Sequence, residues 1–217
     1  MSHHHPPGKF IALEGGEGTG KSTQARLLAA TLEARGIHCT VTREPGGTPG
    51  AEAIRSLLLG SEVPWSIAAE ALLFAAARSD HVTRLIRPAL AAGQWVICDR
   101  FIDSSRAYQG EAGRLGTPAV ETLHAIGSGG LMPDLAVLLR VSPEISAARL
   151  ELRDGATSDR IGGRGAAYHA QVAAAFERFA AAEPQRFAVV DGEGEPDAVA
   201  ARILAVLVPV LSPTLAR

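Results

Sequence analysis

The stretch LEGGEGTGKST, Leu13–Thr23, decides the fold. Within it Gly15–Ser22, GGEGTGKS, satisfies G-x-x-x-x-G-K-[ST], and it stands between an apolar strand-like run, KFIALEG, and a helical pattern from about Lys21 to Arg35. That is the context in which the pattern cradles phosphate: backbone N–H groups turn toward the anion, and small residues let the chain approach it. Gly18 and Gly20 supply that close approach, Lys21 is placed to reach the outer phosphates, and the Ser22 hydroxyl is placed to hold Mg2+. The expected ATP-binding segment is Gly15, Gly16, Glu17, Gly18, Thr19, Gly20, Lys21, Ser22 and Thr23. Glu17 is the anomaly. A carboxylate about 6 Å from another anion is repelled by roughly 3 kcal/mol at an effective dielectric near 20, so Glu17 is expected to face away from the phosphates.

Outward from the loop, short apolar runs alternate with long helical patterns. IHCTVTR, WVICDR (Trp95–Arg100), LAVLLRV (Leu135–Val141) and FAVVD (Phe187–Asp191) read as further strands. Helices are expected at about 51–59, 67–92, 118–127, 143–152, 166–182 and 196–208, the last with a stop at Pro209. Continuous apolar strands separated by helices indicate an α/β fold, a central five-stranded parallel sheet flanked by helices in three layers. Ligands in such sheets bind beyond the carboxyl ends of the strands. Asp99 ends the third strand with a polar tip on a buried root, where it can face Mg2+ through water or cap the next turn. The loop alone does not separate an enzyme from a nucleotide-gated switch.

The chain has 217 residues, 47% hydrophobic and 20% charged, a composition that supports a sizeable globular core. One domain is expected over 9–211, between a flexible tail at 1–8 and a C-terminal tail at 212–217. A formal charge of -2 gives no electrostatic case for nucleic-acid binding. MSHHHPPG lacks the apolar segment of a secretory signal, and the C-terminal run Ile203–Leu211 is too short to span a bilayer, so a cytoplasmic protein off the membrane is expected. The two cysteines, Cys39 and Cys98, fall in strand-like runs and read as reduced core thiols. RDGATSDRIGGRG, Arg153–Gly165, is poor in apolar residues and reads as a mobile arginine-bearing loop between two helices.

Beyond the second strand comes TREPGGT, with Arg55 in the helix after it; LLFAAARSDH then sets Phe74 and Arg78 at i and i+4 on one helix face. DRFIDSSRAYQG follows the third strand. These segments bring guanidiniums, an aromatic face, hydroxyls and an amide to one sheet edge, the set a second phosphorylated, planar ligand would need. In this order and spacing, EGGEGTGKST, TREPGGT, LLFAAARSDH, DRFIDSSRAYQG and MPDLAVLL resemble thymidylate kinases of the bacterial type, over about Phe10–Asp191.

The resemblance implies a P-loop NTPase fold with an arginine-containing lid at about 153–165, the transfer of phosphate from ATP to dTMP with Mg2+, and a homodimer. It implies that Phe74 stacks on thymine, Arg78 donates to thymine O4, and Ser105 and Gln109 lie at the base edge. Arg55 and Arg100 grip the monophosphate, Tyr108 crowds a ribose 2′-hydroxyl, and Glu17 accepts from the 3′-hydroxyl. The catalytic set is Lys21, Asp99, Arg100 and a lid arginine, Arg153 before Arg160, with Arg149 and Arg164 as further candidates. Ser22 and Asp99 are the metal-side pair. The chain departs from the family pattern at Gly162, after Ile161, and at Arg140 in the fourth strand. His81, His124 and His169 have no metal-ligand spacing.

Overall fold

Leu13 pairs with Asp99 on one side and Val137 on the other, and that register brings the ends of the central strands to a common edge. The computed structural model describes residues 8–60, 64–154 and 159–215. Its sheet comprises β1 (Phe10–Glu14), β2 (Cys39–Arg43), β3 (Trp95–Asp99), β4 (Leu135–Arg140) and β5 (Phe187–Asp191). All pairings are parallel, in the order β2-β3-β1-β4-β5. The expected sheet and its five strands are therefore present.

Strand periodicity splits the core into two layers. Ile11, Leu13, Ile97, Val137 and Leu139 point to one face, where they meet Leu28 and Leu32 of α1 (Lys21–Glu33) and Ile203 and Leu207 of α9 (Pro196–Leu215). The intervening residues Phe10, Ala12, Val96 and Cys98 point to the other face, against Val82, Ile86 and Phe101. Ala136 and Leu138 pack there on Phe176 and Val172 of α8 (Ala166–Ala182). A strand buried on both faces has no polar side to show, hence the unbroken apolar runs. Cys98 is buried, Cys39 is half-buried, and both are free thiols.

The remaining helices are α2 (Pro49–Leu59), α3 (Ile67–His81), α4 (Arg87–Ala91), α5 (Ile102–Ser105), α6 (Thr117–Ser128) and α7 (Pro143–Asp154). Two of the expected helices come out differently, and α5, with the π-helical stretch after it, was not expected. The single helix expected over 67–92 is α3 and α4 joined by a π-helical stretch, Val82–Ile86. Pro88 explains it: proline has no N–H to give the carbonyl four residues back, and its ring crowds that carbonyl, so the turn widens just ahead of it. α9 continues through Pro209 to Leu215 rather than stopping, because proline's own φ is helical and its insertion removes one bond without forbidding the turn. Arg140 bonds both carboxylate oxygens of Glu177 on the surface, an exposed pair of the kind worth at most about 1 kcal/mol.

Candidate active site

Directly after β1 the chain enters the glycine loop. Gly18 and Gly20 have φ of 69° and 91°, and a Cβ on Gly18 would lie 2.6 Å from the Ser146 carbonyl. Only glycine fits there without moving α7, whose Ser146 hydroxyl also donates to the Glu17 carbonyl at 2.7 Å. α1 then starts at Lys21, so its first N–H groups and the positive end of its dipole face the loop. Lys21 Nζ donates to the Gly16 carbonyl at 2.6 Å and the Gly15 carbonyl at 3.3 Å. Burial, then the nearby Arg100 charge, brings its pKa down to about 8.

The Ser22 hydroxyl donates to the Asp99 carboxylate at the end of β3. This is an all-oxygen donor pair, suited to a hard cation. Among the described residues no group of three or more His, Cys, Asp or Glu side chains could hold a metal by itself. A cation beside Ser22 and Asp99 would therefore draw its other ligands from phosphate and water, as Mg2+ does. The residues fit that ion.

Glu17 turns away from the phosphate side. Its Oε1 accepts from Arg100 Nη2 at 2.7 Å and from the Tyr108 hydroxyl at 2.9 Å. Burial alone would raise this carboxyl, but Arg100, then Lys21, hold it down at about 2. Arg100 also donates to the Gly15 carbonyl at 2.9 Å and lies over the Tyr108 ring, 5.1 Å from its centre. It adopts a left-handed φ of 71°, uncommon for a side chain with a Cβ. Glu14 holds that turn from behind: the buried carboxylate accepts from Phe101 N at 2.9 Å and from the Ser104 hydroxyl at 2.6 Å.

The loop opens into a cleft of about 910 Å³, at the upper end of the range for ligand sites. Lys21, Ser22, Thr23, Asp99 and Arg149 line it on the loop side. Arg55, Phe74, Arg78, Arg100, Ser105, Tyr108 and Gln109 line the rest, so every expected acceptor residue except Glu17, which bridges the two sides, comes from α2, α3 or the segment after β3. Tyr108 and Gln109 sit on a second π-helical stretch, Arg106–Ala112. Arg55 is half-buried and donates to the Pro45 carbonyl at 2.7 Å. Arg78 is locked in place: Nε donates to Glu44 at 2.7 Å, and Nη2 to the Ser105 hydroxyl at 2.8 Å and the Phe101 carbonyl at 3.3 Å. Glu44 is in turn held by His81 Nδ1 at 3.1 Å, and His81 Nε2 meets the Thr42 hydroxyl at 2.7 Å.

The candidate arginines separate. Arg149 Nη2 donates to the Gly192 carbonyl at 3.1 Å, beside the loop. Arg160 and Arg164 instead reach Glu70 on α3, at 2.5 and 2.6 Å. The backbone of Arg153 lies in the last turn of α7, which ends at Asp154, while its side chain and residues 155–158 lie outside the described residues. At the departure from the family pattern, Asp159 Oδ1 accepts from the N–H groups of Ile161 (2.9 Å) and Gly162 (2.8 Å), closing the turn without a side chain at 162. Glu14, Glu44, Glu70 and His81 were not singled out from sequence. Glu14, Glu44 and His81 do lie in segments that carry the resemblance (EGGEGTGKST, TREPGGT and LLFAAARSDH), whereas Glu70 lies in none of them.

A phosphate loop on a parallel sheet, opening into an arginine-lined cleft with an aromatic face, defines a P-loop nucleoside monophosphate kinase. The family model described as Thymidylate kinase matches residues 13–203. The thymidylate kinase of Rhizorhabdus wittichii is 56% identical over 207 residues, covering 94% of this chain and 99% of that one. That of Caulobacter vibrioides is 48% identical over 202 residues, covering 93% and 96%. The crystal structure of thymidylate kinase from Ehrlichia chaffeensis superposes with a TM-score of 0.75 at 30% identity, covering 93% of this chain and 99% of that one. The chain belongs to the thymidylate kinase family.

Proposed function

We propose that the protein transfers the terminal phosphate of ATP to dTMP, giving dTDP and ADP. The observation that carries this reading is the single cleft in which the phosphate loop and the Phe74–Arg78–Gln109 pocket face each other across the Glu17–Arg100 pair. The attacking group is a phosphate oxygen, already largely ionised at neutral pH because its second pKa is about 6. No general base is needed; the task is to align two anions and offset their charge.

Each residue has a part in that task. The backbone of Gly15–Thr23 and the Lys21 ammonium hold the triphosphate. Ser22 and Asp99 would hold Mg2+, which neutralises charge on the phosphates when bound. Phe74 offers the thymine ring a stacking face. Arg78, its Nε and Nη2 already committed, turns Nη1 to O4, where a cytosine amino group would set donor against donor. Arg55 and Arg100 clamp the monophosphate with charge-assisted hydrogen bonds. Glu17 keeps Oε2 for the 3′-hydroxyl, and Tyr108 leaves little room for a 2′-hydroxyl. A lid arginine adds positive charge as the phosphoryl group moves; Arg153 is the candidate for it, and Arg160, the second candidate, would first have to leave Glu70.

The reading extends to one domain over 9–211, a cytoplasmic location and a homodimer. No helix among the described residues is long and apolar enough to cross a membrane. α3 and α6 lie side by side and expose Leu72 and Ile126, a surface suited to a second copy. A coupled assay across dTMP, dUMP, dCMP, AMP and GMP tests the substrate. Preference for dTMP is expected; preference for dCMP or AMP would defeat the thymine assignment of Arg78.

A further inference from the structure

Behind the cleft, two guanidiniums and an amide converge on one buried carboxylate. Glu70 lies on α3 one turn before Phe74 and two before Arg78, on the same helix face. It has no exposed surface. Its Oε1 accepts from Gln109 Nε2 at 2.9 Å, and its Oε2 accepts from Arg160 and Arg164. Arg160 donates as well to the Leu58 carbonyl at 3.0 Å, and Arg164 to the Tyr168 hydroxyl at 2.5 Å, so both guanidiniums are held from more than one side.

An ionised carboxylate only accepts hydrogen bonds. Paired with two guanidiniums, the Glu70 carboxylate offers only acceptors to its neighbours, and it therefore dictates which end of the Gln109 amide faces it. The NH2 group points to Glu70 and the carbonyl oxygen points away. Gln109 itself is buried and lines the cleft beside Arg78 and Ser105. We infer that Glu70 is a positioning residue for base selection: it holds Gln109 with its carbonyl toward the acceptor base and ties the arginine-bearing turn at 159–164 to the helix that carries Phe74 and Arg78. This rests on the thymine reading of the cleft.

The chemistry of the base edge follows. Thymine carries N–H at N3, whereas cytosine carries a lone pair there. A carbonyl fixed toward N3 accepts from the first and is repelled by the second. The two reading groups are each set by a buried carboxylate, Arg78 by Glu44 and Gln109 by Glu70. A glutamine at position 70 could donate as easily as accept, so the polarity of Gln109 would no longer be fixed, and Arg160 and Arg164 would lose their shared counter-charge.

The test is competition in the full chain. The inhibition constant of dCMP is measured against dTMP and divided by the KM for dTMP, in wild type, Glu70→Gln, Glu70→Asp and Gln109→Leu. The ratio is expected to fall by about tenfold in Glu70→Gln and in Gln109→Leu, the scale of losing one polar discrimination. It should return toward wild type in Glu70→Asp, which still only accepts. A residue that merely supported the fold would weaken both nucleotides alike and leave the ratio unchanged; that result in Glu70→Gln overturns the inference. Should Glu70→Gln not fold, an unchanged ratio in Gln109→Leu, or a collapsed one in a folded Glu70→Asp, overturns it equally. Failure of the wild-type chain to make dTDP would defeat the thymine reading instead.

Discussion

Glu17 and Arg100 meet at 2.7 Å across the seam between the glycine loop and the end of β3. The contact answers the anomaly of an acidic residue in a phosphate loop: the carboxylate is drawn out of the phosphate cradle by a guanidinium that is buried beside it and, like it, only 15–20% exposed at the side chain. With its pKa brought to about 2, Glu17 is ionised at every working pH.

Replacing Glu17 by Gln keeps the shape and removes the charge. The expected outcome is a fall in kcat/KM for dTMP of at least about tenfold with the KM for ATP within about twofold of wild type. Steady-state kinetics in both substrates decides it. A change confined to the KM for ATP would return Glu17 to the donor side.

The arginines should separate by parameter. Arg153→Ala is expected to lower kcat by at least about tenfold while ATP affinity stays near wild type, since a supplied arginine can contribute roughly 10³ to 10⁵ in rate. Arg149→Ala, which loses the contact to Gly192 beside the loop, is expected to raise the KM for ATP instead. Unchanged turnover in Arg153→Ala would remove that residue from the mechanism.

Ser22 and Asp99 should act together on Mg2+. In Ser22→Ala and in Asp99→Asn, activity titrated against Mg2+ is expected to need a higher concentration for half-maximal rate, and chelation should abolish activity in every form. A titration curve that coincides with wild type would mean that neither oxygen serves the ion.

Glu14 gives a pH dependence. Burial, then the charge of Asp103, pushes its carboxyl up from 4.5 to about 7. The folded chain thus holds this proton more tightly than the unfolded one, and Glu14's contribution to stability falls as pH rises from 4.5 to about 7. Glu14→Gln removes that slope. Its Tm relative to wild type should climb across the window; a constant difference would exclude Glu14 from the pH response.

The sheet was readable because β1, β3 and β4 are buried on both faces and so spell continuous apolar runs, and the loop because its glycines and Lys21 have few other uses in that context. The candidate acceptor residues rest on the resemblance, since nothing in Phe74 or Arg78 taken singly separates a core residue from a ligand contact; the structure adds that they line one cleft. What stayed hidden has a physical cause in each case. A π-helical turn has no sequence period of its own, so the stretch that aims Tyr108 and Gln109 into the cleft could not be read. Glu70, in AEALLF, looks like an ordinary exposed helix charge. Its role exists only through Arg160, Arg164 and Gln109, which lie 39 to 94 residues away along the chain. His81 is hidden similarly, by a contact with Glu44 that spans 37 residues.

The most direct measurement is phosphorus NMR of the purified chain with Mg2+, ATP and dTMP. Two nucleotides gripped phosphate to phosphate in one cleft should yield dTDP and ADP in equal amounts, with ATP left intact when dTMP is withheld. Consumption of ATP without dTDP, or no reaction at all, would contradict the account.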